Sequence, residues 1–485
     1  MLETLKNLKS YEVFKYFKEM NQIPRGSGNE KTVSDWLVNF AKEHNLEVKQ
    51  DDVLNVIIKK PGTKGYENSP TVVLQGHMDM VCEKEAGSNH DFTKDPIAFI
   101  VDGDTLRADG TTLGADNGIA VAIGLSILAS EDISHPPLEV LITTEEETGM
   151  GGAQGLDPKD ITGRMLINID SEEEGKLLVS CSGGVREIIS LPIQRKDMEN
   201  GKGVYKIVVG GLQGGHSGME INKERGNSNK VIGRILNDLS ENMDFNIASI
   251  NGGAKMNAIP RDAEAIIVLD EKHSETLQSK ISEWNKILSV ELNAQDPNVK
   301  VSLEKAEWTD KIFTCDTTEK VIQMLMLIPN GVQGMSMAIK GLVESSTNLG
   351  VVVIKDDVVE FESCIRSSVQ TLKEDIVRRG KVIAKLLGAK IEFIADYPAW
   401  EYNPNSKLRE RFIEIYKELH DREPEIDAIH AGLECGLFGG KFNSEMDMIS
   451  LGPDMFDVHT PKESVNIPST ERVYEYILKV LENLK

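Results

Sequence analysis

Short apolar runs alternate with amphipathic segments over residues 1–185, and the same alternation returns over residues 398–485. Compact apolar runs bounded by turn residues predict strands, and apolar residues spaced three or four apart predict helices. The predicted helices span 30–45, 118–130, 407–424 and 470–485, and the predicted strands span 53–60, 71–77, 138–144, 164–170 and 447–452. This alternation predicts an α/β fold in which helices flank a mixed, mainly parallel sheet.

Residues 186–397 carry a different pattern that occurs twice. Each half reads strand, helix, strand, strand, helix, the first over 205–288 and the second over 298–387, with weak residue identity between them. We interpret 186–397 as an inserted α+β domain with an internal β-α-β-β-α repeat. Residues 1–185 and 398–485 then form one domain together. A coincidental succession of similar elements is the alternative to a true repeat.

Size and charge narrow the class of protein. The chain has 485 residues, which is too long for one ordinary core and favours two domains. Its net charge of −24 argues against nucleic acid or an anionic membrane as a partner, because both require a basic surface. No apolar run approaches the length of about 18 residues that a membrane span needs. The five cysteines form no CxxC motif, which suits a reducing compartment and predicts a cytoplasmic protein.

Carboxylates and imidazoles follow the predicted strands closely. In open α/β sheets, functional groups gather where strands end at their carboxyl edge. The residues placed in this way, or just before the helix at 118–130, are His77, Asp79, Asp116, Glu145, Glu146, Glu147, Asp170 and His459. Each motif is weak evidence when it is taken alone. The H-x-D motif is common in proteins, GADNG is typical of a turn, and three consecutive glutamates are typical of a solvent-exposed surface. Together, the set predicts a hydrolytic metal centre.

The chemistry of zinc explains why this set is informative. Zinc binds imidazole nitrogen and carboxylate oxygen, and a catalytic zinc keeps one position open for water. Two metals that share a carboxylate need about two imidazoles and three carboxylates, plus one free carboxylate as general base. The candidates are His77, Asp116, Glu146, Glu147, Asp170 and His459.

Several motifs carry a family resemblance over essentially the whole chain. They are HMDMV, LGADNGIAVA, TTEEETGMGGA, NIDSEEEG, GGHSG, NAIP, HAGLECGLF and DVHTPKE. In combination they resemble the co-catalytic zinc peptidases of the aminoacylase/carboxypeptidase group, and within that group the aminoacyl-histidine (Xaa-His) dipeptidases. One position differs, because Glu145 stands where that group typically has Asp.

The resemblance implies a role for each residue of the set. One zinc would be held by His77, Asp116 and Asp170, and the other by Asp116, Glu147 and His459, with Asp116 as the bridge. Asp79 would orient His77. Glu146 would act as general base for a zinc-bridged hydroxide. Two Zn²⁺ per chain are expected, and Co²⁺ or Mn²⁺ are possible substitutes.

Further candidates lie in or beside the insertion, which the resemblance identifies as a lid and dimerisation domain. His216 in GGHSG is either a loop histidine between glycines or a group that stabilises the oxyanion. Asn257 and Arg366 are expected to bind substrate, since Arg can hold a carboxylate through two hydrogen bonds. A surface salt bridge is the alternative for Arg366. His430 and Glu434, which the predicted domain boundaries place in the catalytic domain, either line the substrate pocket or make structural hydrogen bonds in a turn.

The resulting interpretation is a metallo-dipeptidase that acts on short peptides, with a preference for Xaa-His dipeptides. The alternatives are an N-acyl amino acid amidohydrolase or a tripeptidase of the same group, and, in a different class, a non-catalytic metal-binding regulatory protein. A homodimer is possible. Because the insertion is doubled, His216 is expected to act within its own chain.

Overall fold

The computed structural model describes residues 5–485, which divide into two compact units. The first contains residues 5–180, Trp400–Ala428 and Leu433–Lys485. The second contains Cys181–Ala399 and Ile429–Gly432. His430 therefore belongs to the second unit, although the chain has already returned to the first at Trp400.

The helices of the described residues follow in chain order. They are α1 (Tyr11–Met20), α2 (Lys31–Glu43), α3 (Ala115–Ala129), α4 (Glu146–Gly149), α5 (Gly151–Gly155), α6 (Ser228–Asn242), α7 (Ser274–Glu291), α8 (Cys315–Leu327), α9 (Gln370–Leu387), α10 (Lys407–His420), α11 (Glu434–Lys441) and α12 (Ile467–Glu482). Within residues 5–485, no helix is both long enough and apolar enough to cross a membrane.

The strands are numbered in the same way. They are β1 (Glu47–Gln50), β2 (Val56–Lys60), β3 (Val72–His77), β4 (Phe99–Asp102), β5 (Thr105–Ala108), β6 (Leu138–Thr143), β7 (Met165–Asn168), β8 (Lys176–Cys181), β9 (Gly183–Pro192), β10 (Arg195–Asp197), β11 (Lys202–Gly210), β12 (Gly215–His216), β13 (Phe245–Gly252), β14 (Ala258–Ile259), β15 (Ala263–Asp270), β16 (Lys300–Lys305), β17 (Lys311–Phe313), β18 (Gly331–Met335), β19 (Val343–Lys355), β20 (Val358–Ser367), β21 (Lys390–Tyr397), β22 (Glu425–Ile429), β23 (Asp447–Ser450), β24 (Met455–Phe456) and β25 (Ser464–Asn466).

An eight-stranded mixed sheet forms the centre of the first unit. Its strand order is β1-β2-β6-β3-β7-β23-β8-β22. The pairs β6–β3, β3–β7 and β7–β23 are parallel, whereas β1–β2, β2–β6 and β23–β8 are antiparallel. Every residue of β3 and β6 is buried, as expected for parallel strands with both faces covered. Their carboxyl ends therefore lie side by side, which positions the groups that follow them.

The core of the first unit is built from both ends of the chain. Val13 and Phe17 of α1 and Val473 and Ile477 of α12 belong to the same buried cluster, together with most of α3. Helix α3 is apolar on every side and is buried along almost its whole length. Burial of this amount of apolar surface is what stabilises the central sheet.

A nine-stranded antiparallel sheet dominates the second unit. Its main path is β16-β11-β15-β13-β19-β20-β9-β21, and β18 pairs with β19. From β11 to α7 and from β16 to α9 the strands and α-helices follow the same order: two strands, a helix, three strands and a helix. Each half therefore has two short strands beyond the predicted β-α-β-β-α order. Strands β9 and β21 were not part of the predicted pattern. They join the sheet beside β20 and frame the residues near Arg366.

Candidate active site

Most of the predicted metal ligands lie at the ends of three adjacent parallel strands. His77 is the last residue of β3, Glu146 and Glu147 follow β6, and Asp170 lies two residues beyond β7. Because these strands are neighbours in the order β6-β3-β7, their carboxyl ends converge.

Asp116 lies between two imidazoles. It follows Ala115 at the start of α3, and one of its oxygens, Oδ1, lies 3.1 Å from Nε2 of His77. The other oxygen, Oδ2, lies 3.1 Å from Nε2 of His459. His77 Nε2 is also 3.6 Å from Asp170 Oδ1, and His459 Nε2 is 3.0 Å from Glu147 Oε2. The Nε2 atom of each imidazole thus faces two carboxylates, and Asp116 is one of the two in both cases.

The donor set suits a pair of divalent metal ions. Among the described residues, ligand atoms lie within 4.8 Å of one another in three groups: His77 with Asp116 and Asp170, Asp116 with Glu147 and His459, and His77 with Glu146 and Glu147. Imidazole nitrogens and carboxylate oxygens are the ligands that zinc and similar metals take. The first unit therefore holds a candidate metal-ligand cluster.

Asp79 is buried and connects several parts of the cluster. Its Oδ1 lies 3.2 Å from Nδ1 of His77, the ring nitrogen that faces away from Asp116. The same carboxylate accepts hydrogen bonds from the backbone N–H groups of Glu146 at 3.1 Å and Glu147 at 3.2 Å. Ser27 Oγ donates to it at 2.7 Å. One side chain therefore fixes both the His77 ring and the start of α4.

The electrostatics of the cluster follow from its burial and its charges. Burial raises the pKa of Glu146 well above its usual range, and the carboxylates of Asp170 and Glu434 add to the rise. Hydrogen bonds with Asp116 and Glu147 raise the pKa of His459 to about 11. Burial opposes ionisation of Asp116, but hydrogen bonds with His459 and His77 outweigh it and hold the pKa of Asp116 low.

Glu463 is a functional candidate that the sequence analysis did not identify. This residue is 2% exposed, and its carboxylate accepts hydrogen bonds from four consecutive backbone N–H groups at 2.7–3.3 Å. The donors belong to Leu113, Gly114, Ala115 and Asp116. The loop that presents Asp116 is therefore held from behind by a side chain about 350 residues later in the chain.

Asn117 and Arg25 support the same region. Asn117 Oδ1 accepts from the backbone N–H of His77 at 3.1 Å, and its Nδ2 donates to Ile169 O at 2.6 Å, so it joins the ends of β3 and β7. Arg25 is buried and donates to the backbone oxygens of Gly114 at 2.6 Å and Met78 at 2.9 Å. Burial lowers the pKa of Arg25 to about 10, which still leaves it charged at neutral pH.

Glu434 lies in the first unit and is fully buried at the start of α11. It accepts hydrogen bonds from Gln75 Nε2 at 2.5 Å and Thr143 Oγ1 at 2.8 Å, which are side chains of β3 and β6. Burial raises its pKa to about 7. Its other carboxylate oxygen, Oε1, has no hydrogen-bond partner within residues 5–485.

The remaining sequence candidates lie in the second unit. His216 ends β12, which pairs with β14, so His216 is opposite Ala258 and beside the exposed Asn257. Its Nδ1 accepts hydrogen bonds from the N–H groups of Gly218 at 3.3 Å and Met219 at 3.1 Å. Nδ1 is therefore an acceptor, which leaves the proton of the neutral ring on Nε2. Burial, and next the charge of Arg366, lower the pKa of His216.

Arg366 and His430 lie close to His216. A Cβ added to Gly218 would be 3.1 Å from His216 Cε1, 3.2 Å from Arg366 Nε and 2.5 Å from His430 O, so only glycine fits at this position. His430 Nε2 is 2.7 Å from Ser346 Oγ. Burial lowers the pKa of His430 to about 3, helped by Arg366, so the ring is neutral. Arg366 is thus a buried cation beside two imidazoles whose pKa values are lowered.

Comparisons with known proteins cover nearly the whole chain. A cytosol non-specific dipeptidase of Escherichia coli (strain K12) is 39% identical over 483 residues, which are 100% of this chain and 99% of the relative. The structure of an aminoacylhistidine dipeptidase from Vibrio alginolyticus has a TM-score of 0.94 at 36% identity and covers 99% of this chain and 98% of that chain. Aminopeptidase PepT from Bacillus cereus has a TM-score of 0.56 at 15% identity over 98% of this chain and 99% of that chain, which shows the fold alone.

These comparisons confirm the predicted α/β fold and the predicted resemblance to aminoacyl-histidine dipeptidases. They also confirm that the protein is an enzyme, a hydrolase of the metallopeptidase and dipeptidase type. The family model that matches residues 73–483 is described as peptidase family M20/M25/M40. This match spans most of the chain, which therefore belongs to peptidase family M20/M25/M40.

Proposed function

We propose that the protein cleaves the peptide bond of Xaa-His dipeptides with the help of two Zn²⁺ ions. The observation that carries this proposal is the arrangement of Asp116, whose two oxygens each lie 3.1 Å from a different imidazole. A carboxylate that bridges two metals needs its oxygens directed in this way. His77 and Asp170 complete one set of ligands, and Glu147 and His459 complete the other.

The chain's own residues supply the proton transfers. Zinc held by His77, Asp116 and Asp170 and by Asp116, Glu147 and His459 would polarise a peptide carbonyl and lower the pKa of water. Glu146 takes a proton from the attacking water and passes it to the nitrogen of the leaving amine as the C–N bond breaks. Burial raises the pKa of Glu146, which suits this task, because a more basic carboxylate accepts a proton from water more readily. Asp79 keeps His77 oriented throughout.

Residues of the second unit are proposed to bind the substrate. Arg366 binds the terminal carboxylate, since it is a buried cation with an unpartnered Nε among the described residues. His216 donates its Nε2 proton to the oxyanion and acts within its own chain. Asn257 and His430 complete the substrate-binding set, and Glu434 contributes through its hydrogen bonds to the strand ends.

The alternative functions differ from this proposal in the substrates that the enzyme would cleave. The Vibrio relative is named for aminoacyl-histidine substrates, whereas the Escherichia coli relative is named as non-specific. A broad dipeptidase is therefore the second candidate. A tripeptidase or an N-acyl amino acid amidohydrolase would differ in accepting a longer or an acylated substrate. We further propose a cytoplasmic location, in keeping with the five cysteines, none of which forms a disulfide among the described residues, and with the cytosolic relative. We also propose assembly as a homodimer.

A substrate panel with and without a chelator tests the proposal. We expect dipeptides to be cleaved faster than tripeptides or acylated amino acids, and Xaa-His faster than other dipeptides. Removal of metal should abolish hydrolysis, and added Zn²⁺ should restore it at close to two ions per chain. Full activity in metal-free protein would overturn the mechanism. Equal rates on all dipeptides would favour the broad dipeptidase instead.

A further inference from the structure

One row of paired residues crosses four strands of the second unit. Ser346 of β19 pairs with Arg366 of β20, Arg366 pairs with Gly184 of β9, and Gly184 pairs with Tyr397 of β21. Directly paired residues in antiparallel strands project from the same face of the sheet. Ser346, Arg366 and Tyr397 therefore lie on one face, with a glycine between the last two.

The glycine allows the tyrosine to reach the arginine. A Cβ on Gly184 would be 2.6–2.8 Å from the hydroxyl, Cζ and Cε1 atoms of Tyr397, which shows that the ring lies directly over this glycine. In this position the Tyr397 hydroxyl accepts a hydrogen bond of 3.0 Å from Nη1 of Arg366. The backbone oxygen of Tyr397 is held in turn by Lys373, whose Nζ donates to it at 2.8 Å.

The contact with Tyr397 pairs Nη1 of the guanidinium but not Nε. Arg366 is 8% exposed, and its Nε has no hydrogen-bond partner among the described residues. An unpaired N–H of a buried cation is costly, so a ligand with acceptor atoms is expected at this N–H. Nε and Nη2 form one edge of the planar guanidinium fork, and such an edge binds both oxygens of a carboxylate.

We propose that Tyr397 is a positioning residue for substrate recognition. By holding Nη1, it fixes the guanidinium so that the Nε–Nη2 edge faces the terminal carboxylate of the dipeptide. Gly184 is required because any larger residue displaces the tyrosine ring. The inference rests on the proposed function, in which Arg366 binds that carboxylate. Burial raises the pKa of Tyr397, so the group is a neutral hydroxyl at physiological pH.

The test compares a dipeptide with its carboxamide, for example Ala-His and Ala-His-NH₂. Replacement Tyr397→Phe keeps the ring over Gly184 but removes the hydroxyl. We expect KM for the free acid to rise about 10- to 100-fold, the range for losing one hydrogen bond to a charged group. KM for the amide should change less than about threefold, because the amide never gains the carboxylate contact. If the amide is not cleaved, its inhibition constant against the acid gives the same comparison.

Tyr205→Phe is the matched control. Tyr205 is a buried tyrosine of the same unit, its ring also lies over a glycine, Gly203, and its hydroxyl has no hydrogen-bond partner among the described residues. Its replacement should leave both KM values unchanged. Gly184→Ala should reproduce the effect of Tyr397→Phe. If this variant does not fold, Tyr397→Phe decides the question alone.

Arg366→Lys separates the inference from the proposed function. This replacement should abolish the preference for acid over amide. If it does so while Tyr397→Phe leaves the preference intact, Tyr397 does not position the arginine and the inference fails by itself. If Arg366→Lys leaves the preference intact, the carboxylate role of Arg366 fails and the inference fails with it. If the wild type cleaves no dipeptide, the proposed function fails first.

Discussion

At the scale of single residues, three consecutive glutamates after β6 have three different surroundings. Glu145 is exposed and adopts a left-handed backbone conformation with φ of 52°, and its N–H is bound by Glu30. Glu147 lies 3.0 Å from His459. Glu146 is partly buried, and desolvation together with the neighbouring carboxylates raises its pKa. Sequence position alone does not separate these residues, but their contacts do.

The first prediction concerns the division of labour between Glu146 and Glu147. Glu146→Gln removes the proton acceptor without removing a ligand, so turnover should fall by about 10²–10⁴-fold while both metals stay bound. Glu147→Ala should lower the occupancy of one metal. Steady-state kinetics and metal analysis of the same preparations measure the two effects.

Glu145→Gln is the control for this pair, because its side chain is exposed, and it should keep near-normal turnover and metal content. Metal loss in Glu146→Gln, with full occupancy in Glu147→Ala, would show that the two roles are exchanged.

The sequence predicted the residues that follow strands and missed those whose role depends on distant pairing. His77 and Asp170 could be placed at strand ends because buried parallel strands read as continuous apolar runs, and Asp116 could be placed at the start of the apolar run that forms α3. Glu463 reads as an ordinary surface glutamate in TPKES, and Tyr397 lies in a segment for which the sequence predicted no strand. Both residues contact segments that are distant in the sequence, and the pattern of apolar residues does not predict which distant segments meet.

At the scale of elements, the start of α3 depends on Glu463. The residues Leu113–Asp116 direct four N–H groups at one carboxylate, and Arg25 binds the oxygen of Gly114 from the other side. N–H groups at the start of a helix lack intrahelical partners and favour a negative charge. The conformation that presents Asp116 between the imidazoles is therefore imposed from outside the helix.

The second prediction follows from this contact. Glu463→Gln keeps the size of the side chain but replaces one accepting oxygen with an amide NH₂ group. Two backbone N–H groups of the Leu113–Asp116 segment would then face this donor and lose their acceptor. Apparent metal affinity should fall by about 10- to 100-fold, as for other groups that orient ligands. Competition with a chromogenic chelator measures the affinity without reference to catalysis.

Glu471→Gln provides a matched control. Glu471 also accepts backbone hydrogen bonds in the first unit, from Lys9 N and Ser10 N at 2.8 Å each. Its replacement should lower the unfolding midpoint and leave metal affinity unchanged. Equal losses of affinity in both variants would mean that Glu463 acts only through general stability.

Some strands of the second unit could be predicted from the sequence, whereas β9 and β21 could not. The strands of the repeat were recognisable, since their apolar residues are buried in the sheet. Strand β21 was not, because it lies at the edge of the sheet with most positions exposed and shows little apolar patterning. Strand β9 begins with two glycines, which on sequence alone favour a turn. The structure explains the second of them, because the ring of Tyr397 packs directly over Gly184 and leaves no room for a side chain there.

At the scale of the whole molecule, each unit has its own hydrophobic core. The cluster of the first unit includes residues from α1 and α12, and the cluster of the second includes residues from β11, α6 and β20. A unit with a separate core can unfold as a separate cooperative step. Ligands and buried charges confined to one unit should therefore shift that unit's transition alone.

The last prediction uses Glu187 of β9, which is 2% exposed and has one carboxylate oxygen without a partner among the described residues. Burial raises its pKa from 4.5 to about 7, so between these values the folded chain binds more protons than the unfolded chain. Stability then falls as pH rises through this window. Glu187→Gln cannot ionise, so its advantage over the wild type should grow from pH 5 to pH 8, by on the order of 3 kcal/mol at most.

Scanning calorimetry of the zinc-loaded protein should resolve the two units. Removal of metal should lower the transition of the first unit, since a ligand that binds only the folded state stabilises it. Glu187→Gln should raise only the other transition, and more so at pH 8 than at pH 5. Glu275→Gln, an exposed position on α7 of the same unit, should show no such dependence on pH. A single transition that responds to both changes would mean that the units unfold together, and an advantage of Glu187→Gln that is constant with pH would mean that the buried carboxyl group does not titrate in this range.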